Sequence, residues 1–168
     1  MSSEGPAPDV WGLNLAAALR LVRRSRGLST VEVARLMDMD RRNYAYFEAG
    51  SGRLNLARIL KFAEATDSDP WAILAAVVTG SPRLARGAAD NKLVTVFFLL
   101  LAEFDGQVGE AARTLDTAEA VSAFREAFRT LEESATAKRD RQPTDWLKRG
   151  AAKIGLGVGP AGGDDPED

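Results

Sequence analysis

The chain contains no cysteine and no histidine. Those two absences remove disulfide staples, zinc centres of the usual kinds and any catalytic scheme built on an imidazole or a thiolate, so neither a metal nor a cofactor is expected. Long apolar runs are scarce as well. The longest, "LVTVFFLLLA" from Leu93 to Ala102, has ten residues between Lys92 and Glu103, against the roughly 20 needed to cross a bilayer. It reads as a core or interface helix, with a strand over "VTVFF" as the alternative, and no membrane role is expected. The first residues, "MSSEGPAPDV", have neither a basic nor an apolar signal region, which points to the cytoplasm and a flexible start over residues 1–12. No glycine-rich phosphate loop follows a strand, and carboxylate pairs such as Glu132-Glu133 lie on a polar helix face, so an enzyme is not expected.

What is present begins with ordinary globular composition: 168 residues, 45% of them hydrophobic and 27% charged. This suffices for one domain with an addition, or for two small ones. The net charge of −2 conceals a segregation. Residues 15–61 hold ten cations (Arg20, Arg23, Arg24, Arg26, Arg35, Arg41, Arg42, Arg53, Arg58, Lys61) against four acids (Glu32, Asp38, Asp40, Glu48), a local excess of six. Four compensating acids stand in the final "DDPED". A basic module with an acidic tail is the electrostatic footprint of a nucleic-acid binder.

Helix punctuation is dense. A first helix is expected over Leu13–Arg26, with Leu15, Leu19 and Val22 at helical spacing and Gly27 ending it. Ser29 opens "STVE", a capping box for a second helix, Thr30–Met37, in which the Ser29 hydroxyl and the Glu32 carboxylate each satisfy an orphan amide. Asp40 caps a third helix through Glu48, broken by Gly50 and Gly52. Asn55 caps a fourth with Leu56, Ile59, Leu60 and Ala63 on one face, and Asp69 followed by Pro70 starts a fifth carrying Trp71, Ile73 and Leu74. Gly80-Ser81-Pro82 closes the unit. From Asp90 a second helical region runs through Phe104, breaks at "DGQVG", and resumes as a short helix near Leu115 and a longer one with Val121, Phe124, Phe128 and Leu131 on one side. Beyond residue 137 the glycine-rich, acidic tail is expected to be disordered.

The second and third helices are separated by the three residues "DMD", the spacing of a helix-turn-helix whose second helix presents its N-terminal residues to base edges. The stretch "MDMDRRNYAYFEAGSG" then has a use for its hydrogen-bonding capacity. Arginine bonds bidentately to guanine and asparagine to adenine, while a tyrosine one turn on reaches a phosphate or a thymine methyl. An exposed arginine pair is most often a solvated face, and Asn43 has a second reading as a local partner of the Asp40 cap.

Residues 19–74 resemble the helix-turn-helix domain of the lambda repressor, Cro and XRE family of bacterial and phage regulators. The resemblance rests on "LRLVR", "GLS", Val33-Ala34, "FEAG" at Phe47–Gly50 and "NLARILKFAEAT", and covers about a third of the chain. It implies an all-α, five-helix DNA-binding domain over residues 13–80. In it Arg41, Arg42, Asn43 and Tyr46 face bases, Thr30 holds a phosphate, Ser51 and Arg53 approach the backbone or minor groove, and Glu48 pairs with Arg23. Asp38 replaces the usual turn glycine. Tyr44 replaces a usual buried aliphatic, which places its ring in the core with the hydroxyl reaching the surface, or else rotates the helix.

Residues 81–137 are expected to form a helical dimerisation or partner-binding region, with Leu93, Phe97, Leu100, Phe104, Phe124 and Phe128 at the interface, and residues 138–168 a flexible tail in which Trp146 is the suspected partner contact. The expected function is a homodimeric, sequence-specific reader of double-stranded DNA at an inverted repeat. The alternative is a helix-turn-helix adaptor that works through a protein partner, a toxin or RNA polymerase, by means of residues 81–168.

Overall fold

The computed structural model describes residues 10–140. Trp146, the tail beyond residue 140 and residues 1–9 lie outside the described region. All regular structure within it is helical, including the "VTVFF" stretch, and no described helix is long and apolar enough to cross a membrane. The residues divide into two compact units that meet between Gly109 and Glu110.

The first unit contains α1 (Val10–Ser25), α2 (Thr30–Leu36), α3 (Arg41–Glu48), α4 (Leu56–Ala65), α5 (Pro70–Thr79), α6 (Pro82–Gly87) and α7 (Leu93–Val108). Local chemistry sets most of the boundaries. Ser29 and Glu32 form the reciprocal capping box of α2, with the Ser29 amide 2.7 Å from the Glu32 carboxylate. Asp40 accepts from the Asn43 amide at 2.9 Å, Asn55 from the Arg58 amide at 3.0 Å, and Asp69 from the amides of Trp71 and Ala72 at 3.0 and 3.2 Å. Each such cap contributes on the order of 1 kcal/mol by satisfying a helix-end amide. Gly80 ends α5 in the left-handed region, at φ 67°.

The core gathers Leu19 and Val22 of α1, Val33 of α2, Tyr44 and Phe47 of α3, Ile59 and Phe62 of α4, and Ile73 and Val77 of α5. Burial of each such side chain contributes about 1.5–3 kcal/mol. Several expectations are corrected here. Leu56 and Leu60 are 44% and 42% exposed; the face that α4 buries is Ile59, Phe62 and Ala63, because the helix is rotated toward Phe47, whose ring packs edge-on against Phe62. Tyr44 has no exposed surface, and its hydroxyl turns inward to donate to Glu48 Oε1 at 2.8 Å rather than reaching the surface. A buried carboxylate needs donors, and the phenol supplies one. Residues 10–12, expected to be flexible, are helical, and Gly12 is buried where the Gly50 loop lies against it.

Past Gly80 the chain stays in the same unit. Helix α6, too short to show a period, starts with Pro82 at its first turn and buries Ala85 in the common core. Helix α7 continues through the expected break at "DGQV", since one glycine inside a helix costs only about 1 kcal/mol and Gln107 bonds Glu103 one turn back at 3.1 Å. The break comes at Gly109, at φ 52°.

A 3-10 helix, Gly109–Thr114, begins at the last residue of the first unit and is followed in the second by α8 (Thr117–Asp140). Asp116 starts α8 by accepting from the Ala118 amide at 2.9 Å. Arg129 pairs with Glu126 and Glu133 at 2.6 and 2.5 Å, while Val121, Phe124, Phe128 and Leu131 repeat at helical spacing and are 42–58% exposed.

Candidate nucleic-acid interface

Helix α3 is held from one side only. Tyr44, Phe47 and Glu48 face the interior, whereas Arg41, Arg42, Asn43 and Tyr46 face solvent. The anchor is ionic. Arg23 Nε lies 2.5 Å from Glu48 Oε1 and Nη2 lies 3.2 Å from Oε2, while Nη1 donates to the Leu28 carbonyl at 2.9 Å. One guanidinium thereby ties α1, the α1–α2 loop and α3 together. Its hydrogen bond to Glu48 raises the Arg23 pKa above its ordinary value. Burial, then the Glu48 bond, pushes the Tyr44 phenol far above the ordinary tyrosine range. Such a network fixes where α3 sits more than it adds net stability.

The three-residue turn between α2 and α3 carries Asp38 in the left-handed region, at φ 50°. Its neighbours Met37 and Met39 are wholly and partly buried, which holds the turn in place. At the start of α3 the Asp40 carboxylate takes both the backbone amide and the side-chain amide of Asn43. These bonds hold the Asp40 carboxyl below its ordinary pKa. Asn43 is thus engaged with the cap while remaining exposed, and Arg41 and Arg42 are the residues that project without such a tether.

Tyr46 is 54% exposed, and its ring lies over Gly52, where an added Cβ would come within 3.2 Å of it. This contact joins α3 to the loop carrying Ser51 and Arg53, both exposed. The loop itself is fixed by Gly50, at φ 70°, whose Cβ position lies 1.9 Å from the Gly12 carbonyl oxygen. Only glycine fits there. Arg53 lines a small cleft with Trp11, Leu15, Phe47 and Arg58. Thr30, the first residue of α2, is exposed beside the capping box.

Reading from sequence assigned no role to Arg35. It lines an open groove between α2 and α3 together with Val31, Asp38, Met39, Asp40 and Arg41. Helical spacing from Val31 was the available signal, since a residue four positions on lies on the same side of α2. Of the ten cations between residues 15 and 61, Arg23 and Arg26 make internal ion pairs, with Glu48 and Asp90. Arg20, Arg24, Arg35, Arg41, Arg42, Arg53, Arg58 and Lys61 are exposed. Of the residues expected at a dimer or partner interface, Leu93 is partly buried, and Phe97, Leu100, Phe104, Phe124 and Phe128 are 38–58% exposed.

Two short helices joined by a tight turn, the second anchored by its inner face and presenting a basic N-terminal end, define the helix-turn-helix class. Residues 14–71 match the family model described as "Helix-turn-helix domain", which covers α2, α3, α4 and most of α1. That domain points to DNA binding and transcription regulation. No curated protein and no solved structure matches the chain.

Proposed function

We propose that the protein is a sequence-specific, double-stranded DNA-binding transcriptional regulator of the lambda repressor, Cro and XRE kind, acting in the cytoplasm as a homodimer on an inverted repeat. Helix α3 enters the major groove, with Arg41 and Arg42 as the principal base readers and Tyr46 one turn on. Asn43 joins them when it exchanges its Asp40 bond for an adenine edge. Thr30, Ser51 and Arg53, with Arg35, hold phosphates on either side. The observation that carries this reading is the division of α3 into an inner face locked by Glu48, Tyr44 and Phe47 and an outer N-terminal end bearing two untethered arginines.

The dimer is assigned to residues 81–137, where α7 and α8 expose apolar side chains. The same exposure favours the second reading, an adaptor that engages a protein partner there.

Selection from a random duplex pool by the full chain at fixed physiological salt tests the assignment, because phosphate contacts alone mimic affinity when salt varies. The expected result is a palindromic motif whose affinity falls by about 1–3 kcal/mol in Arg41→Ala and in Arg42→Ala, with relaxed preference at one base position each. Unchanged sequence preference in both variants removes α3 from the role of reader.

A further inference from the structure

Asp69 does more than start α5. It has no exposed surface, and its carboxylate holds five donors. Oδ1 accepts from the amides of Trp71 and Ala72 at the start of α5 and from Thr95 Oγ1 at 2.7 Å. Oδ2 accepts from the amides of Val94 and Thr95, both at 3.0 Å, in the first turn of α7. The residue in the cap position of α7, Lys92, makes no side-chain cap and sits at φ 51°. Two of the first three amides of α7 are therefore satisfied by a carboxylate some 25 positions earlier in the chain, and the third, of Leu93, by Asn91 at 3.0 Å.

The surrounding contacts reinforce the joint. Arg26 pairs with Asp90 at 2.6 Å while donating to the Thr66 carbonyl at 2.9 Å, and Lys92 pairs with Asp67 at 3.1 Å. The acids of these two pairs are 81% and 93% exposed, so the buried Asp69 joint dominates. Trp71 and Phe98 add a ring contact at 5.3 Å.

The remainder of α7 offers an apolar surface. Val96, Phe98, Leu99, Leu100, Leu101 and Phe104 are 40–65% exposed, which leaves roughly 500 Å² of apolar side chain open if a full side chain presents about 150–200 Å². Because these residues lie all around the helix, pairing two copies removes at most about 1,000 Å², the lower limit for a specific interface. A second copy of this chain is the occupant that the area fits.

We propose that Asp69 is a positioning residue for DNA recognition: it fixes the tilt of α7 on the DNA-reading unit, and the pairing of two copies along α7 then sets the separation between half-sites. This rests on the reading of the protein as a dimeric DNA reader. The 16 residues of α7 extend about 24 Å. A tilt of about 10° at its root moves the far end by about 4 Å, more than the roughly 3.4 Å rise of one base pair. Defining the separation to one base pair therefore requires a stiff joint at the N-terminus of α7, where Asp69 stands.

The test uses inverted repeats of the selected half-site, stepped by single base pairs around the one-turn separation of about 10 base pairs, together with a duplex bearing one half-site. Kd is measured for the full-length wild type, Asp69→Asn and Thr95→Val. Asparagine keeps one carbonyl oxygen for the α5 amides and turns a donor toward those of Val94 and Thr95, so it releases α7 while retaining the α5 cap. The wild type is expected to favour one separation at least tenfold. Asp69→Asn lowers that preference to threefold or less and leaves single half-site affinity within twofold; Thr95→Val lowers it by about half. Retention of the tenfold preference by Asp69→Asn overturns the proposal. If that variant does not fold, Thr95→Val decides, and an unchanged preference overturns it equally. A wild type that binds single half-sites specifically yet shows no preferred separation overturns the proposal and leaves the DNA reader standing, whereas binding blind to sequence overturns both.

Discussion

Replacing Glu48 by alanine removes the acceptor on which three donors converge: Arg23 Nε at 2.5 Å, Arg23 Nη2 at 3.2 Å and the Tyr44 hydroxyl at 2.8 Å. The Arg23 side chain is only 12% exposed, so its guanidinium keeps the Leu28 carbonyl and gains little water in return. Removing one partner of a buried ion pair costs about 3–5 kcal/mol, mostly the penalty of the charge left behind. A further 1–3 kcal/mol is typical for an orphaned buried hydroxyl, but the enlarged space admits water and the two penalties overlap. We expect a loss of about 3–4 kcal/mol for Glu48→Ala, a large share of the roughly 5–15 kcal/mol typical of a whole domain. Urea unfolding of the full chain, followed by circular dichroism, measures it. Arg23→Ala should cost about 2–4 kcal/mol, and the double variant should fall short of the sum by about 2 kcal/mol, the coupling of a pair in direct contact. Tyr44→Phe, which leaves Glu48 its two arginine bonds, should cost about 1 kcal/mol. Additivity of the two single variants to within about 0.5 kcal/mol, or a loss below about 1 kcal/mol for Glu48→Ala, would refute the view that this network seats α3.

Gly50→Ala should destabilise by about 2–4 kcal/mol, because it joins the left-handed penalty to a collision with the Gly12 carbonyl; thermal unfolding measures it, and a neutral result contradicts the close approach. Arg53→Ala should weaken binding alike for all sequences and reduce the slope of log affinity against log salt by about 1; a base-specific effect in the same salt titration places Arg53 in a groove instead. Stability should also fall at high pH. The buried Tyr44 phenol has a raised pKa against 10.0 for the ordinary group, so its contribution is present below about pH 10 and is lost as pH climbs toward the folded value. The slope above pH 10 is about 1.4 kcal/mol per pH unit for the one proton that the unfolded chain releases first. Urea midpoints at stepped pH check this, and Tyr44→Phe should remove that component.

The helix ends were readable because their chemistry is local. Ser29 with Glu32, Asp40 with Asn43 and Asn55 with Arg58 each act across three residues. A cap of that reach works in any surroundings, so residue type and spacing suffice to place it. The same holds for Gly80, which leaves α5 through the left-handed region. Helix α3 and the exposed arginines at its start followed from these boundaries together with the three-residue turn.

Packing decided the rest. The direction of the Tyr44 hydroxyl depends on Glu48 being drawn inward by Arg23, and Gly50 is indispensable because Gly12 of another helix approaches it. Helix α6 exists because α1 and α5 offer a surface for Ala85, which six residues cannot announce by periodicity. Sequence identified Asp69 as the cap of α5, but not its hold on α7 some 25 residues further on. A buried carboxylate has more acceptor sites than one helix end can fill, and which distant amides occupy the others is set only when the chain has folded.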